Sequence, residues 1–165
     1  METPIKATGR LSLRVRDLAR SREFYRDVLG FAEIEGGGGD RAYLSVAPGD
    51  DRPALILIQA GDRDAPGPAV DPDPLIGMEH FAFEIDSEDF SALKAAYRHL
   101  KAKGAEIHHT VDHRVTYSIY FLDPDRNLIE VYINRPPAEY EGHRDNPYGS
   151  FESLEARLAA PEPVA

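Results

Sequence analysis

The chain has 165 residues, 42% hydrophobic and 29% charged, which is ordinary for a globular protein and long enough for one domain with a real core. A formal net charge of −10 without any basic block argues against nucleic acid or an acidic membrane surface as partner. No apolar run approaches the roughly 18 residues of a membrane span, and the absence of cysteine removes disulfides, thiolate metal sites and cysteine nucleophiles. With no signal pattern at the N-terminus, a cytoplasmic protein is expected.

Taken in order, residues 1–9 read as an irregular lead-in. From Arg10 the chain alternates, with Leu11, Leu13 and Val15 on one face and Arg10, Ser12, Arg14 and Arg16 on the other, the period of a half-buried strand. Asp17 stands where it would cap a helix striped by Leu18, Phe24, Tyr25, Val28 and Leu29 and ended by Gly30. A short strand is expected over 31–35. The glycines at 36–39 follow, then the alternating stretch 41–47; no helix starts after the glycines, so they suit a hairpin tip rather than a phosphate cradle. Residues 54–59 are nearly all apolar, as in a strand buried on both faces. Prolines and aspartates over 61–78 mark a linker.

The pattern then repeats. Residues 79–86 alternate, with Phe81, Phe83 and Ile85 on one face and His80, Ala82 and Glu84 on the other. Ser87, Glu88 and Asp89 open a second helix, striped by Phe90, Leu93, Tyr97 and Leu100 and ended by Gly104. Strands over 105–110, 116–122 and 127–133 complete this half, the last two joined by a turn at Asp123-Pro124-Asp125. The order strand-helix-strand-strand-strand thus occurs twice, about 70 positions apart. It predicts an α+β fold, a single domain of two tandem βαβββ modules over about 10–60 and 79–133, forming a curved mixed sheet around a cleft, with a tail over 134–165.

In the last strand Leu128, Glu130 and Tyr132 share a face. A buried carboxylate there has to be paired, bound to metal or neutralised; a glutamate at a solvated rim is the other reading. Overlaying the halves matches Arg10 with His80 and Leu57 with Glu130. If the halves pair by an approximate two-fold, all four converge in one cleft. His108 and His109 are adjacent, so a regular strand points them to opposite faces and one ion could take both only at a bulge.

Several of these stretches resemble a known family. Leu13-Arg-Val-Arg-Asp-Leu18, Ser21, Phe24-Tyr25 and Val28-Leu-Gly-Phe31 are similar to the opening of the vicinal oxygen chelate superfamily, which includes glyoxalases, fosfomycin and bleomycin resistance proteins, and extradiol dioxygenases. Glu79-His-Phe-Ala-Phe-Glu-Ile-Asp86 and Phe121-Leu-Asp-Pro-Asp-Arg-Asn-Leu-Ile-Glu-Val-Tyr132 match its second half, so the resemblance covers about residues 8–135. Asp112-His-Arg-Val, followed by Ser118-Ile-Tyr-Phe-Leu-Asp-Pro-Asp, is most similar to bacterial catechol 2,3-dioxygenase-like proteins. So is the tail Asn134-Arg-Pro-Pro-Ala-Glu-Tyr140, with an amphipathic segment over 151–158.

The resemblance implies Fe(II) or Mn(II) held by two histidines and one glutamate, with open positions for substrate and O2. It assigns His80 and Glu130 as metal ligands, His113 as the acid/base or O2-stabilising group, and Tyr120 as the residue bonding the substrate hydroxyl; a surface-loop histidine is the other reading of His113. The remaining histidine position holds Arg10, with no histidine in the strand around it, and Leu57, at the fourth position that lyases of the superfamily use, is no ligand. Arg10 would instead pair with Glu130 in a metal-free cleft. The expected function is a ring-cleaving dioxygenase of catechol-type substrates with an altered metal site. The alternatives are a metal-free small-molecule binding protein of the bleomycin-resistance kind and a glyoxalase-type lyase or isomerase, against which Leu57 counts. A small-molecule ligand is the implied partner, and the superfamily commonly forms homodimers. Arg126 stands where the family usually has glycine, so a positive φ there would cost about 1 kcal/mol.

Overall fold

The strand-helix-strand-strand-strand order recurs in two units of the chain, Met1–Pro66 and Gly67–Ala165. The computed structural model describes residues 9–36, 38–50, 52–64, 78–141 and 151–161. The expected lead-in before Gly9, Gly37 of the hairpin tip and residues 65–77 of the linker lie outside the described residues. Among the described residues no helix is long and apolar enough to cross a membrane.

The first unit holds β1 (Leu11–Val15), α1 (Leu18–Asp27), β2 (Ala32–Ile34), β3 (Arg41–Ser45) and β4 (Leu55–Gln59). Its sheet is ordered β1-β4-β3-β2, with β1 parallel to β4 and the other pairs antiparallel. Asp17 caps α1 as its pattern predicts, its carboxylate accepting from Arg20 N at 3.1 Å. Gly30, at φ 76°, releases the chain from the helix.

Two expectations for β4 are corrected by its pairing. Leu57 lies opposite Leu13 in the parallel register and shares its face; together with Val15 and Leu55 these side chains are buried, and α1 packs on β4 and β3. The other face carries the exposed Ser12 and Arg14 with the half-buried Ile56 and Ile58. β4 is therefore fully buried on one face only. Leu57 does not stand at the position matching Glu130: Ser12 matches Ala82, Ser12 pairs with Ile56, and Ala82 pairs with Glu130, so the counterpart is Ile56. Overlaying two apolar runs by sequence missed by one residue, and one residue reverses the face.

The second unit holds β5 (His80–Glu84), α2 (Phe90–Ala102), β6 (Glu106–Asp112), β7 (Thr116–Leu122) and β8 (Leu128–Asn134), in the sheet order β5-β8-β7-β6 with β5 parallel to β8. Of the three residues expected to open α2, Asp89 is the cap, accepting from Ser91 N at 2.9 Å. One sheet face, with Ile119, Phe121, Ile129 and Ile133 fully buried, lies under Leu93, Tyr97 and Leu100 of α2. That leaves the opposite face of β7 and β8 for Tyr120 and Glu130.

The β7–β8 turn is organised by Asp123, which is buried. Its Oδ1 accepts from Asp125 N at 2.9 Å and Asn127 N at 2.8 Å, and its Oδ2 accepts from Asn127 Nδ2 at 2.8 Å. Arg126 takes φ 69° inside this turn, the left-handed conformation its position requires. After β8 come a short helix α3 (Pro137–Tyr140) and α4 (Glu155–Ala159). The amphipathic segment expected over 151–158 buries Leu154 and Leu158, and α4 packs on α2, but Phe151 stays 75% exposed.

Candidate functional site

The polar face of the second sheet carries a row of side chains in register. Ala82 of β5 pairs with Glu130 of β8, Glu130 pairs with Tyr120 of β7, and Tyr120 pairs with His109 of β6. His80 lies two residues before Ala82 and therefore on the same face. Alternation thus sets four polar groups side by side, and the Asp123 turn holds the β7–β8 register that keeps them there.

Glu130 is the centre of the group. It is only 8% exposed, and its Oε2 lies 3.2 Å from His80 Nε2. Its partner across the strand is Tyr120, whose hydroxyl lies 3.1 Å from His113 Nε2. The expected solvated rim does not describe this carboxylate, which is buried and paired. His113 is also buried, in the turn after β6, rather than in solvent. Burial, and after it the negative charge of Glu130, push the Tyr120 phenol well above its ordinary value of 10.0. Tyr120 is therefore a neutral phenol with a proton to donate. The His80 ring meets Tyr120 edge-on at 5.2 Å.

His109 enters the group against the expectation of regular alternation. The β6–β7 register shifts between Ile107 and His109, so His108 is the extra residue of a bulge. The two imidazoles consequently sit together, Nδ1 to Nδ1 at 2.5 Å, instead of on opposite faces, and His109 stacks on Tyr120 at 4.2 Å with an interplanar angle of 13°. Burial pushes the His109 imidazole below its ordinary value; the nearby His108, His113 and His80 act in the same direction, and Glu130 opposes them. Sequence reasoning left His109 out because bulges leave no periodic trace; the adjacent histidine pair was the one available hint.

His80 Nε2 and Glu130 Oε2 suit two neighbouring positions around a divalent ion, since bonds of about 2.1 Å at right angles set such donors about 3 Å apart. A neutral imidazole with a carboxylate is also the donor chemistry that Fe(II) and Mn(II) accept. A third donor is not assembled with them: among the described residues no three His, Cys, Asp or Glu side chains are grouped to hold a metal. Arg10 lies in the first unit just ahead of β1 and is exposed, and Leu57 is in that unit's core.

Residues 7–131 match the Glyoxalase/Bleomycin resistance protein/Dioxygenase superfamily, and the chain belongs to it. It is 34% identical over 141 residues to the catechol-2,3-dioxygenase of Bacillus subtilis (strain 168), covering 85% of this chain and 46% of that protein. The chain thus spans about half the length of this curated relative. It is 28% identical over 162 residues to the glutathione transferase FosA of Serratia marcescens, covering 92% of this chain and 99% of that one. The crystal structure of a glyoxylase/bleomycin resistance protein/dioxygenase domain from Frankia sp. EAN1pec shares the fold, with a TM-score of 0.63 at 24% identity over 84% of this chain and 99% of that chain.

Proposed function

We propose that the face formed by His80, Glu130, Tyr120 and His113 binds a small molecule with two adjacent oxygens, and that the chain is a ring-cleaving dioxygenase of catechol-type substrates using Fe(II) or Mn(II). The observation that carries this reading is the pairing of His80 with Glu130 at 3.2 Å, a separation suited to metal ligands, beside a phenol kept protonated. The likeness to a catechol-2,3-dioxygenase supports it. His80 and Glu130 would hold the ion, which would supply Lewis-acid activation of the diol oxygens and a place for O2. Tyr120 donates its hydroxyl proton to a substrate oxygen, orienting the ring. His113 Nε2, at 3.1 Å from that hydroxyl, holds it in place and lies close enough to take the proton that a bound diol releases. The covered position of Glu130 limits the water that would compete for these groups.

A second reading is favoured by a specific observation. Arg10 stands at the third-ligand position of the resemblance, and no group of three donors forms among the described residues. In that reading His80 and Glu130 are simply partners, and the same face binds the diol without chemistry.

One experiment separates the two. The protein, purified without chelators, is titrated anaerobically with Fe(II), then given catechol and O2. The dioxygenase reading expects about one ion per chain, lost in Glu130→Gln, and a yellow ring-opened product. Catechol binding with no stoichiometric metal would sink the dioxygenase and leave the binding protein.

A further inference from the structure

We propose that the C-terminal segment 151–161 is a strap that holds His113 in its working position, with Phe151, Arg157 and Asp112 as positioning residues. The inference takes the role of His113 from the function proposed above; the contacts themselves do not depend on it.

The strap is tied down at several points. Leu154 and Leu158 are buried, with 1% and 0% exposure, and α4 packs on α2. Lys94 Nζ donates to Pro161 O at 3.4 Å and an Arg98 guanidinium nitrogen to Ala160 O at 3.3 Å. On the β6 side, Asp112 N donates to Glu152 O at 2.8 Å and Leu154 N to Thr110 Oγ1 at 3.1 Å. So anchored, the strap presents Phe151 edge-on to the His113 ring at 5.3 Å, although the phenylalanine is 75% exposed. A large apolar side chain left mostly in water contributes little to the core, and the ring it touches is that of His113.

A second set of contacts reaches the turn that carries His113. Asp112 accepts from Arg114 N at 2.8 Å, and Arg114 has φ 72°, a conformation that costs a residue other than glycine about 1 kcal/mol. Its carboxylate is held in turn by Arg135 at 3.1 Å and approached by Arg157 of the strap at 3.9 Å. Arg157 also lies over Phe90 at 4.3 Å and Tyr117 at 4.8 Å. The strap thus touches both the imidazole and the carboxylate that braces its strained turn. A segment serving only to cover α2 would need Leu154 and Leu158 but neither of these contacts.

The test uses the full chain with Phe151→Ala, Phe151→Tyr, Arg157→Gln and, as a comparison in the anchor, Leu158→Ala. Carbethoxylation by diethyl pyrocarbonate, read by peptide mapping, reports access to His113 against the exposed His99. Nuclear Overhauser contacts between the His113 and Tyr120 rings report their bond. Phe151→Ala and Arg157→Gln should each leave thermal unfolding close to the parent, raise the His113 rate about five-fold with His99 unchanged, and weaken the ring-to-ring contact. Phe151→Tyr should restore both. Unchanged His113 rates in both variants, with a loss of stability in Leu158→Ala alone, would overturn the strap. A catechol titration forms the last arm: weaker binding by about five-fold in Phe151→Ala, restored in Phe151→Tyr, is expected. If the parent itself ignores catechol, the proposed function fails, and the modification rates still decide the strap.

Discussion

Replacing Tyr120 by phenylalanine removes one oxygen from the middle of the second unit, and its cost follows from the bond that oxygen makes to His113. The hydroxyl lies 3.1 Å from His113 Nε2, a bond worth about 0.5–1.5 kcal/mol net. Glu130 retains His80 at 3.2 Å, and the ring keeps its stack on His109, so the loss should be about 1 kcal/mol. Urea unfolding followed by circular dichroism measures it. The pH dependence has a definite sign. The folded state holds the Tyr120 proton more tightly than the unfolded chain does, so this contribution is complete below the ordinary value of 10.0 and fades as pH rises through the raised folded value. The gap between parent and variant should therefore be constant from about pH 7 to 9 and narrow above about pH 10. A gap below about 0.5 kcal/mol at neutral pH, or one that widens in alkali, would refute the hydrogen-bonded centre.

Three further outcomes are expected. Arg126→Gly should be more stable than Arg126→Ala by about 1 kcal/mol in thermal unfolding, because both lose the exposed ion pair with Glu106 while only glycine relieves the φ of 69°; equal stabilities would show an unstrained turn. The lowered His109 value means that the folded state favours neutral imidazole, so this contribution is complete above the ordinary value of 6.5 and lost as pH falls through it. The melting temperature of the parent should accordingly drop more between pH 7.5 and 5.5 than that of His109→Gln, and parallel curves would show that the fold does not favour the neutral ring. For the metal, Glu130→Gln keeps the size of the side chain but loses the anionic donor. It should weaken Fe(II) binding at least about ten-fold in an anaerobic titration, and undiminished binding would remove Glu130 from the ligand set.

The repeated strand-helix-strand-strand-strand order, the Asp17 cap of α1, the glycines that end both helices and the hairpin at Asp123-Pro124-Asp125 were all legible from residue order, whereas which of Ser87, Glu88 and Asp89 caps α2 was not. Each rests on local chemistry, a side-chain period or a turn that a few neighbouring residues specify. The shared face of Glu130 and Tyr132 was equally local. That Tyr120 faces Glu130 depended on the register of β7 against β8, which the short Asp123 turn nearly imposes.

Tertiary structure decided the rest. Leu57 and Ile56 are equally apolar, and the parallel pairing of β1 with β4 alone shows which of them matches Glu130. The bulge at His108 turns His109 onto Tyr120 because one extra residue in β6 has to be absorbed against β7, a fact of two strands and not of one. The contact of Phe151 with His113 joins residues 38 positions apart through packing on α2 that no period records. Sequence by itself determined which residue types line the sheet, because period and turn chemistry are written in neighbouring positions. Which of them meet was decided by register and packing between elements distant in the chain.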